Sequence, residues 1–302
     1  MQAYSQKEKA SGVIFNVQRF CIEDGPGIRT TVFFKGCPLR CPWCHNPEGI
    51  PAEPQIVLSR TRCMSCGSCI ESCSTCAGDH TAENCARCGL CAEVCPTGAR
   101  EMVGRTWTVD EVRAMVLRDR IFFDSSKGGV TFSGGEPLCQ PDFLIACLQA
   151  CRSEGVHTTL DTCGFGARDK LMHAAELTDL VLFDLKILDP DQHLRHLGAP
   201  LEPILENLDG LIGQQQRIWL RLPVIPGLTD TDHNLTSIRE LASAASCIEK
   251  ICLLPYHETG VNKHLSIHQS YDLDLVSPPS DQRMREIAAQ LSDAASEVVI
   301  GG

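Results

Sequence analysis

Cys37, Cys41 and Cys44 lie in the run GCPLRCPWCHNPEG with the spacing C-x3-C-x2-C. Three thiolates on one short loop can hold three irons of a [4Fe–4S] cube. A cube that only carries electrons takes a fourth cysteine. Here the fourth iron would be left to an outside ligand, like the open position of a catalytic metal site. A zinc knuckle is the plainer alternative. Structural zinc, however, is usually closed by four ligands, often as two C-x2-C pairs, and this loop offers three.

A second group of cysteines has a different pattern. Cys63, Cys66, Cys69 and Cys73 are spaced C-x2-C-x2-C-x3-C; Cys85, Cys88, Cys91 and Cys95 repeat that spacing, with Pro96 after the last. Each run has the form found in bacterial two-cluster ferredoxins, where the fourth cysteine ligates the other cluster. One [4Fe–4S] cluster is therefore expected on Cys63, Cys66, Cys69 and Cys95, and another on Cys73, Cys85, Cys88 and Cys91. The first run departs from the pattern at Ser74, where proline would follow, and Cys76 is near enough to replace Cys73. Cys139, Cys147, Cys151, Cys247 and Cys252 fall in apolar patterns and read as small core residues. Cys21 and Cys163 lie near the expected site without a role.

Nineteen cysteines in 302 residues would mean disulfides in a small secreted domain. In this long chain they cluster at metal-ligand spacings, and the first residues, MQAYSQKEKASG, lack the apolar core of a secretory signal. Metal binding in a reducing cytoplasm is the expectation. A net charge of −11 argues against a nucleic-acid binder, which needs a basic stripe. No run of about 18 apolar residues occurs, so no membrane span is expected.

The cysteine loop needs a scaffold, and the remaining pattern supplies one. Val13 to Val17 and Thr30 to Phe34 read as strands around the turn cluster Asp24-Gly25-Pro26-Gly27-Ile28-Arg29. After Arg100 strands and helices alternate. Thr108 to Glu111 is a capping box opening a helix to about Arg118. Strands are expected at Gly129–Phe132, His157–Leu160, Leu180–Phe183, Arg217–Val224 and Ile248–Leu254. Helices are expected at Phe143–Cys151, Lys170–Leu177, Pro203–Ile212, Leu235–Ser246 and Arg283–Ala295. Near-continuous apolar strands joined by helical crossovers imply a parallel sheet. Counted from Thr30 there are six strands, and each ends in a polar or glycine motif: the Cys37 loop, Ser133-Gly134-Gly135-Glu136, Asp161-Thr162, Asp184-Leu185-Lys186, Arg221 to Gly227, and His257. Barrels of this kind carry their sites at such strand ends. The expected organisation is an α/β partial (β/α)6 TIM-like barrel built from residues 1–59 and 101–302, interrupted at 60–100 by a ferredoxin-like insert with two [4Fe–4S] clusters.

From Asp24-Gly25-Pro26-Gly27-Ile28-Arg29 through the cysteine loop to His257, the chain resembles the glycyl-radical-enzyme activating enzymes. These are radical S-adenosylmethionine (SAM) proteins of the pyruvate formate-lyase activase type, in the branch with a ferredoxin-like insert. The resemblance implies a six-stranded partial barrel and three [4Fe–4S] clusters. It implies SAM on the cluster of Cys37, Cys41 and Cys44, with Trp43 and His45 at SAM-contacting positions. Gly134, Gly135 and Glu136 match the motif that receives the SAM amino group. Asp161, Thr162 and Asp184, with the Leu182 carbonyl, match a monovalent-cation site beside the SAM carboxylate. Lys186, Arg221 and His257 match further SAM contacts, and the Asp24–Arg29 loop one near the substrate glycine. The implied reaction is reductive cleavage of SAM and removal of a hydrogen from a glycine Cα of a partner glycyl radical enzyme, with flavodoxin or ferredoxin as electron donor. A radical SAM enzyme for a small molecule or peptide, and a ferredoxin-type electron carrier, are the alternatives.

Overall fold

The computed structural model describes residues 10–76, 79, 84–260, 263–264 and 276–301. Most of the polar N-terminal stretch read for a secretory signal, residues 1–9, lies outside them. The strands are β1 (Ser11–Cys21), β2 (Arg29–Phe34), β3 (Gln55–Leu58), β4 (Arg100–Val103), β5 (Arg105–Thr108), β6 (Gly129–Gly134), β7 (His157–Thr162), β8 (Leu180–Asp184), β9 (Ile218–Val224), β10 (Ile248–Pro255) and β11 (Glu297–Ile300). One sheet runs in the order β11-β10-β9-β8-β7-β6-β2-β1-β5. From β2 to β11 every neighbour is parallel. β1 is antiparallel to both β2 and β5. The six expected strands are therefore present and adjacent. β3, β4, β5 and β11 were not expected, each being a four-residue strand too short to show a period.

The helices of the α/β part are α3 (Val109–Leu117), α4 (Arg120–Ser126), α5 (Pro141–Ser153), α6 (Arg168–Glu176), α7 (Pro190–Leu197), α8 (Glu202–Gly213), α9 (Asp232–Ser243) and α10 (Asp281–Gln290), after α1 (Ser68–Glu71) and α2 (Leu90–Glu93) among the clustered cysteines. α3 begins with the expected capping box between Thr108 and Glu111. α7 was not expected, because Leu-Asp-Pro-Asp reads as a turn. Its Asp189 instead caps the helix by accepting from Gln192 N, and Pro190 takes the first helical position.

Alternation along the strands decides the chemistry of the two sheet faces. Val32, Phe34, Val130, Phe132, Leu160, Val181, Phe183, Leu220 and Leu222 belong to one apolar core with the helices. Many of the intervening residues are polar, namely Arg29, Thr31, Thr131, Ser133, Thr159, Asp161, Asp184 and Arg221, while Phe33, Leu182 and Trp219 are apolar. Arg29 is buried in this second layer, donating to Thr131 Oγ1 (2.6 Å), the Val130 carbonyl (2.6 Å), Thr159 Oγ1 (2.8 Å) and the Pro26 carbonyl (3.0 Å).

The sheet curls around that polar layer. Asp24 precedes β2, and Arg221 is on β9, four strand positions away. In a flat sheet these positions would stand about 19 Å apart at about 4.8 Å per strand. Instead, Arg221 and Asp24 form an ion pair at 3.6 Å. Such closeness needs a curved, barrel-like sheet. Its edges are β5 and β11.

The repeated cysteine runs leave the α/β part between β3 and β4, which pair antiparallel from Gln55–Val103 to Leu58–Arg100. The duplication extends to the backbone. Gly67 and Gly89 take left-handed φ values of 82° and 85° just before α1 and α2, and Ser65 and Arg87 take 56° and 50°. Among the described residues no helix is long and apolar enough to cross a membrane.

Candidate active site

A cavity of about 250 Å3 opens at the C-terminal ends of the parallel strands. Cys37, Cys41, Trp43, Cys44 and His45 form one wall; Gly134, Gly135, Asp161, Thr162, Asp184, Lys186 and Arg221 line the rest, with Asp24 reaching in from before β2. Nearly all the expected site residues therefore meet in one space.

The cysteine loop is closed at its ends, where Gly36 N donates to the Gly49 carbonyl (2.8 Å) and Cys37 N to the Ile50 carbonyl (3.0 Å). It packs against Gly134-Gly135 so closely that side chains cannot fit. A Cβ on Gly134 would lie 2.3 Å from Phe34 N, and one on Gly135 would lie 2.3 Å from the Gly36 carbonyl oxygen. Burial pushes the Cys44 thiol up to about 12 and lifts Cys37 and Cys41 above the ordinary thiol range. Thiolates here need a cation beside them, as iron would provide.

Below the cysteines lies a web of charge. Arg221 lies 3.3 Å from Asp161, 3.6 Å from Asp24 and 3.6 Å from Asp184; Lys186 lies 3.0 Å from Asp184. Burial would lower Lys186 and Arg221, but the carboxylates beside them reverse this and raise both. Burial works the other way on Asp161 and raises it to about 7 despite Arg221. Asp161 Oδ2 accepts from Ser133 Oγ at 2.6 Å. Asp161 Oδ1 and Asp184 Oδ1 are buried with no hydrogen-bond partner among the described residues. Asp184 Oδ1 faces Arg221 Nε across 3.6 Å, and two carboxylates beside one cavity suit a cation or a ligand ammonium. Leu182, whose carbonyl was expected nearby, stands opposite Asp161 in the β7–β8 ladder.

Two expected contacts differ. The Glu136 carboxylate is fully buried and does not line the cavity. It accepts from Leu138 N (3.0 Å), Thr162 Oγ1 (2.7 Å) and Cys163 N (2.7 Å). A buried carboxylate must have its oxygens met, and here it does so by tying the end of β6 to the end of β7. What the motif presents to the cavity is glycine backbone. His257 is exposed at the rim, outside the lining, with its ring 6.1 Å from that of His45. Asn46 and Tyr256 line the cavity and were not predicted there, while Ser133, from the strand-end glycine motif, and Cys163, expected near the site without a role, line it too. Ser133 shares the inward parity of Thr131 and donates to Asp161.

Five of the clustered cysteines meet at a second, smaller cavity, and Cys63, Cys66, Cys69 and Cys95 are not among its lining residues. Cys73, Cys76, Cys85, Cys88 and Cys91 all line it. Cys73 and Cys76 stand 3.2 Å apart, sulfur to sulfur. Cys66 and Cys95, from different runs, are close enough to influence each other electrostatically. Among the described residues no three His, Cys, Asp or Glu side chains close on a single metal ion.

A curled parallel sheet with three cysteines on the loop after its first parallel strand defines a radical SAM protein, and residues 31–236 match the model of the radical SAM superfamily. The chain is 38% identical to the trans-4-hydroxy-L-proline dehydratase activating enzyme of Clostridioides difficile, over 96% of this chain and 99% of that protein. It is 37% identical to the choline trimethylamine-lyase activating enzyme of Oleidesulfovibrio alaskensis, over 92% and 94%. A domain of the pyruvate-formate lyase-activating enzyme from Bacteroides vulgatus superposes with a TM-score of 0.50 at 30% identity, over 58% of this chain and 99% of that one. The chain belongs to the glycyl-radical-enzyme activating enzymes, SAM-dependent members of the radical SAM superfamily.

Proposed function

We propose that Cys37, Cys41 and Cys44 hold a [4Fe–4S] cluster in the large cavity and that SAM binds beside it. When bound, the cluster supplies the electron that cleaves SAM, so that the adenosyl fragment takes a hydrogen from a glycine Cα of a partner glycyl radical enzyme. One observation carries the proposal: three thiols share a cavity with a web of three carboxylates and two cations. With Asp161 ionised that web carries a net charge of about −1, and SAM, with a sulfonium, an ammonium and a carboxylate, carries about +1. Gly134 and Gly135 offer close backbone approach, and Trp43 and His45 flank the third thiol. The carboxylates of Asp161 and Asp184 are the donor set for a monovalent cation, with Thr162 and the Leu182 carbonyl beside them.

Lys186 and Arg221 keep the floor of the cavity rigid and orient the carboxylates. Burial of the cysteine wall excludes water from the reacting atoms, and the curled sheet leaves Asp24 where a glycine backbone entering the cavity would meet it. In this proposal Cys63, Cys66, Cys69 and Cys95 hold one further [4Fe–4S] cluster and Cys73, Cys85, Cys88 and Cys91 the other. The two pass electrons from flavodoxin or ferredoxin in the cytoplasm. Substrate choice lies in the partner, since relatives of similar identity are named for a dehydratase and a lyase.

The test is anaerobic incubation of the reconstituted protein with SAM, dithionite and a glycyl radical enzyme encoded beside it, followed by electron paramagnetic resonance (EPR). A glycine-centred doublet supports the proposal. Cleavage of SAM with no such doublet on any protein partner would turn it toward a small-molecule radical enzyme.

A further inference from the structure

Gly260, Lys263 and His264, which follow β10, lie against the second half of the cysteine loop. Gly260 is buried against it: a Cβ there would lie 2.9 Å from the Cys44 carbonyl oxygen. Lys263 Nζ lies 2.9 Å from Asn46 Oδ1 and 2.9 Å from Glu48 Oε1. His264 is buried, 4% exposed, with Nε2 3.0 Å from the Cys44 carbonyl oxygen. A carbonyl only accepts, so Nε2 is the protonated nitrogen in this contact.

The two halves of the loop are thus held by different parts of the chain. In the first half Arg40 N donates to the Leu197 carbonyl at the end of α7, and Leu39 is buried in the same apolar cluster as Leu197. Cys41 at the centre is buried in that cluster too. Cys44, in the second half, is only partly buried against that cluster, and polar contacts to its own carbonyl and to Asn46 and Glu48 are added to the apolar packing. Lys263 also balances Glu48, whose charge is felt at the Cys44 sulfur.

We propose that Gly260, Lys263 and His264 are a clasp that sets the position of Cys44, and so act as positioning residues for the metal-binding loop. The inference rests on the assignment of Cys37, Cys41 and Cys44 as cluster ligands. Groups that hydrogen-bond around metal ligands hold them in register, and their loss typically weakens metal binding about 10- to 100-fold. Sequence proximity gives no hint of this, because more than two hundred positions separate Lys263 and His264 from the residues they hold.

The test compares His264→Leu, which keeps bulk and loses the donor, with His264→Gln, whose amide can still donate to the Cys44 carbonyl. Lys263→Met is the independent variant, and thermal melting reports that each chain folds. The anaerobically reconstituted protein is challenged with a chelator, and the SAM-responsive EPR signal of the reduced protein is followed in time. Expected is loss of that signal about tenfold faster in His264→Leu and Lys263→Met, with His264→Gln within about twofold of the parent. Identical behaviour of the leucine and glutamine variants, or retention of the signal in all three, overturns the clasp. A parent protein with no SAM-responsive signal overturns the ligand assignment itself, and the clasp with it, so the two failures are told apart by the parent alone.

Discussion

Replacing Asp161 by asparagine separates what this carboxylate does for SAM from what it does to the fold. Asparagine keeps the shape and can still accept from Ser133 Oγ. It removes the charge facing the cavity. Burial raises Asp161 to about 7 from the ordinary 3.8. A carboxyl raised in this way favours the folded state most fully when protonated; that stability is complete below about pH 4 and is lost as pH rises through about 7. At about 1.36 kcal/mol per pH unit of displacement, the whole loss is at most about 4 kcal/mol, of which about 2 kcal/mol falls between pH 5.5 and 8. SAM, being cationic at its sulfonium and ammonium, should require the ionised form. Its dissociation constant in the parent protein should therefore rise about tenfold on going from pH 8 to pH 6. In Asp161→Asn that slope should vanish and binding should be about 30- to 100-fold weaker at pH 8, the cost of losing one charged partner in a buried site. The SAM-free variant should meanwhile gain stability at pH 8 relative to the parent. Anaerobic titration of SAM, read by its effect on the EPR signal at several pH values, measures the first pair of effects, and urea denaturation measures the last. Titrating the variant in parallel subtracts every other group, including SAM's own amine. A parent dissociation constant that is flat from pH 6 to pH 8, or an unchanged slope in Asp161→Asn, would refute the reasoning.

Cys41→Ala should reduce 5′-deoxyadenosine formation to the background rate, and formation at the parent's rate, read by chromatography, would sink the ligand assignment. Cys88→Ala should leave SAM cleavage with dithionite unchanged while slowing cleavage driven by flavodoxin; equal loss with both reductants would give the second cavity a different role. Glu136→Gln turns an amide N–H toward donors that now meet a carboxylate, so thermal melting should report a loss of about 1–3 kcal/mol. Asp119 is buried, and although burial alone would raise it, hydrogen bonds from Arg19 and Thr30 hold it below the ordinary carboxylate range. Asp119→Asn should therefore destabilise the protein by about 1–2 kcal/mol at pH 7, and the difference from the parent should shrink as pH falls below about 4.

The spacing of Cys37, Cys41 and Cys44 was enough by itself to announce a three-thiol loop, because those residues share one short stretch whose ends are tied together by neighbours in sequence. The parallel strands were legible for a similar reason: each is a local apolar run with a breaker at its end. Asp161 and Asp184 could be picked out, since strand ends are marked by where the apolar run stops, whereas Arg221 stands in the middle of β9 as a charge interrupting an apolar run. Sequence could not say which way those side chains turn. Glu136 sits in the expected motif, yet its carboxylate is consumed by Leu138, Thr162 and Cys163, a choice made only when β6 and β7 lie side by side. His257 comes two residues after the end of β10 and is not among the residues that line the cavity, although Pro255 and Tyr256 are. The union of Arg221 with Asp24 depends on the curl of the whole sheet, and the contact of His264 with Cys44 joins residues 220 positions apart. Spacing along the chain reports which groups are available within a few residues, where the backbone itself limits their separation. Contacts across strands and loops are decided by packing, which brings together residues that the chain leaves far apart.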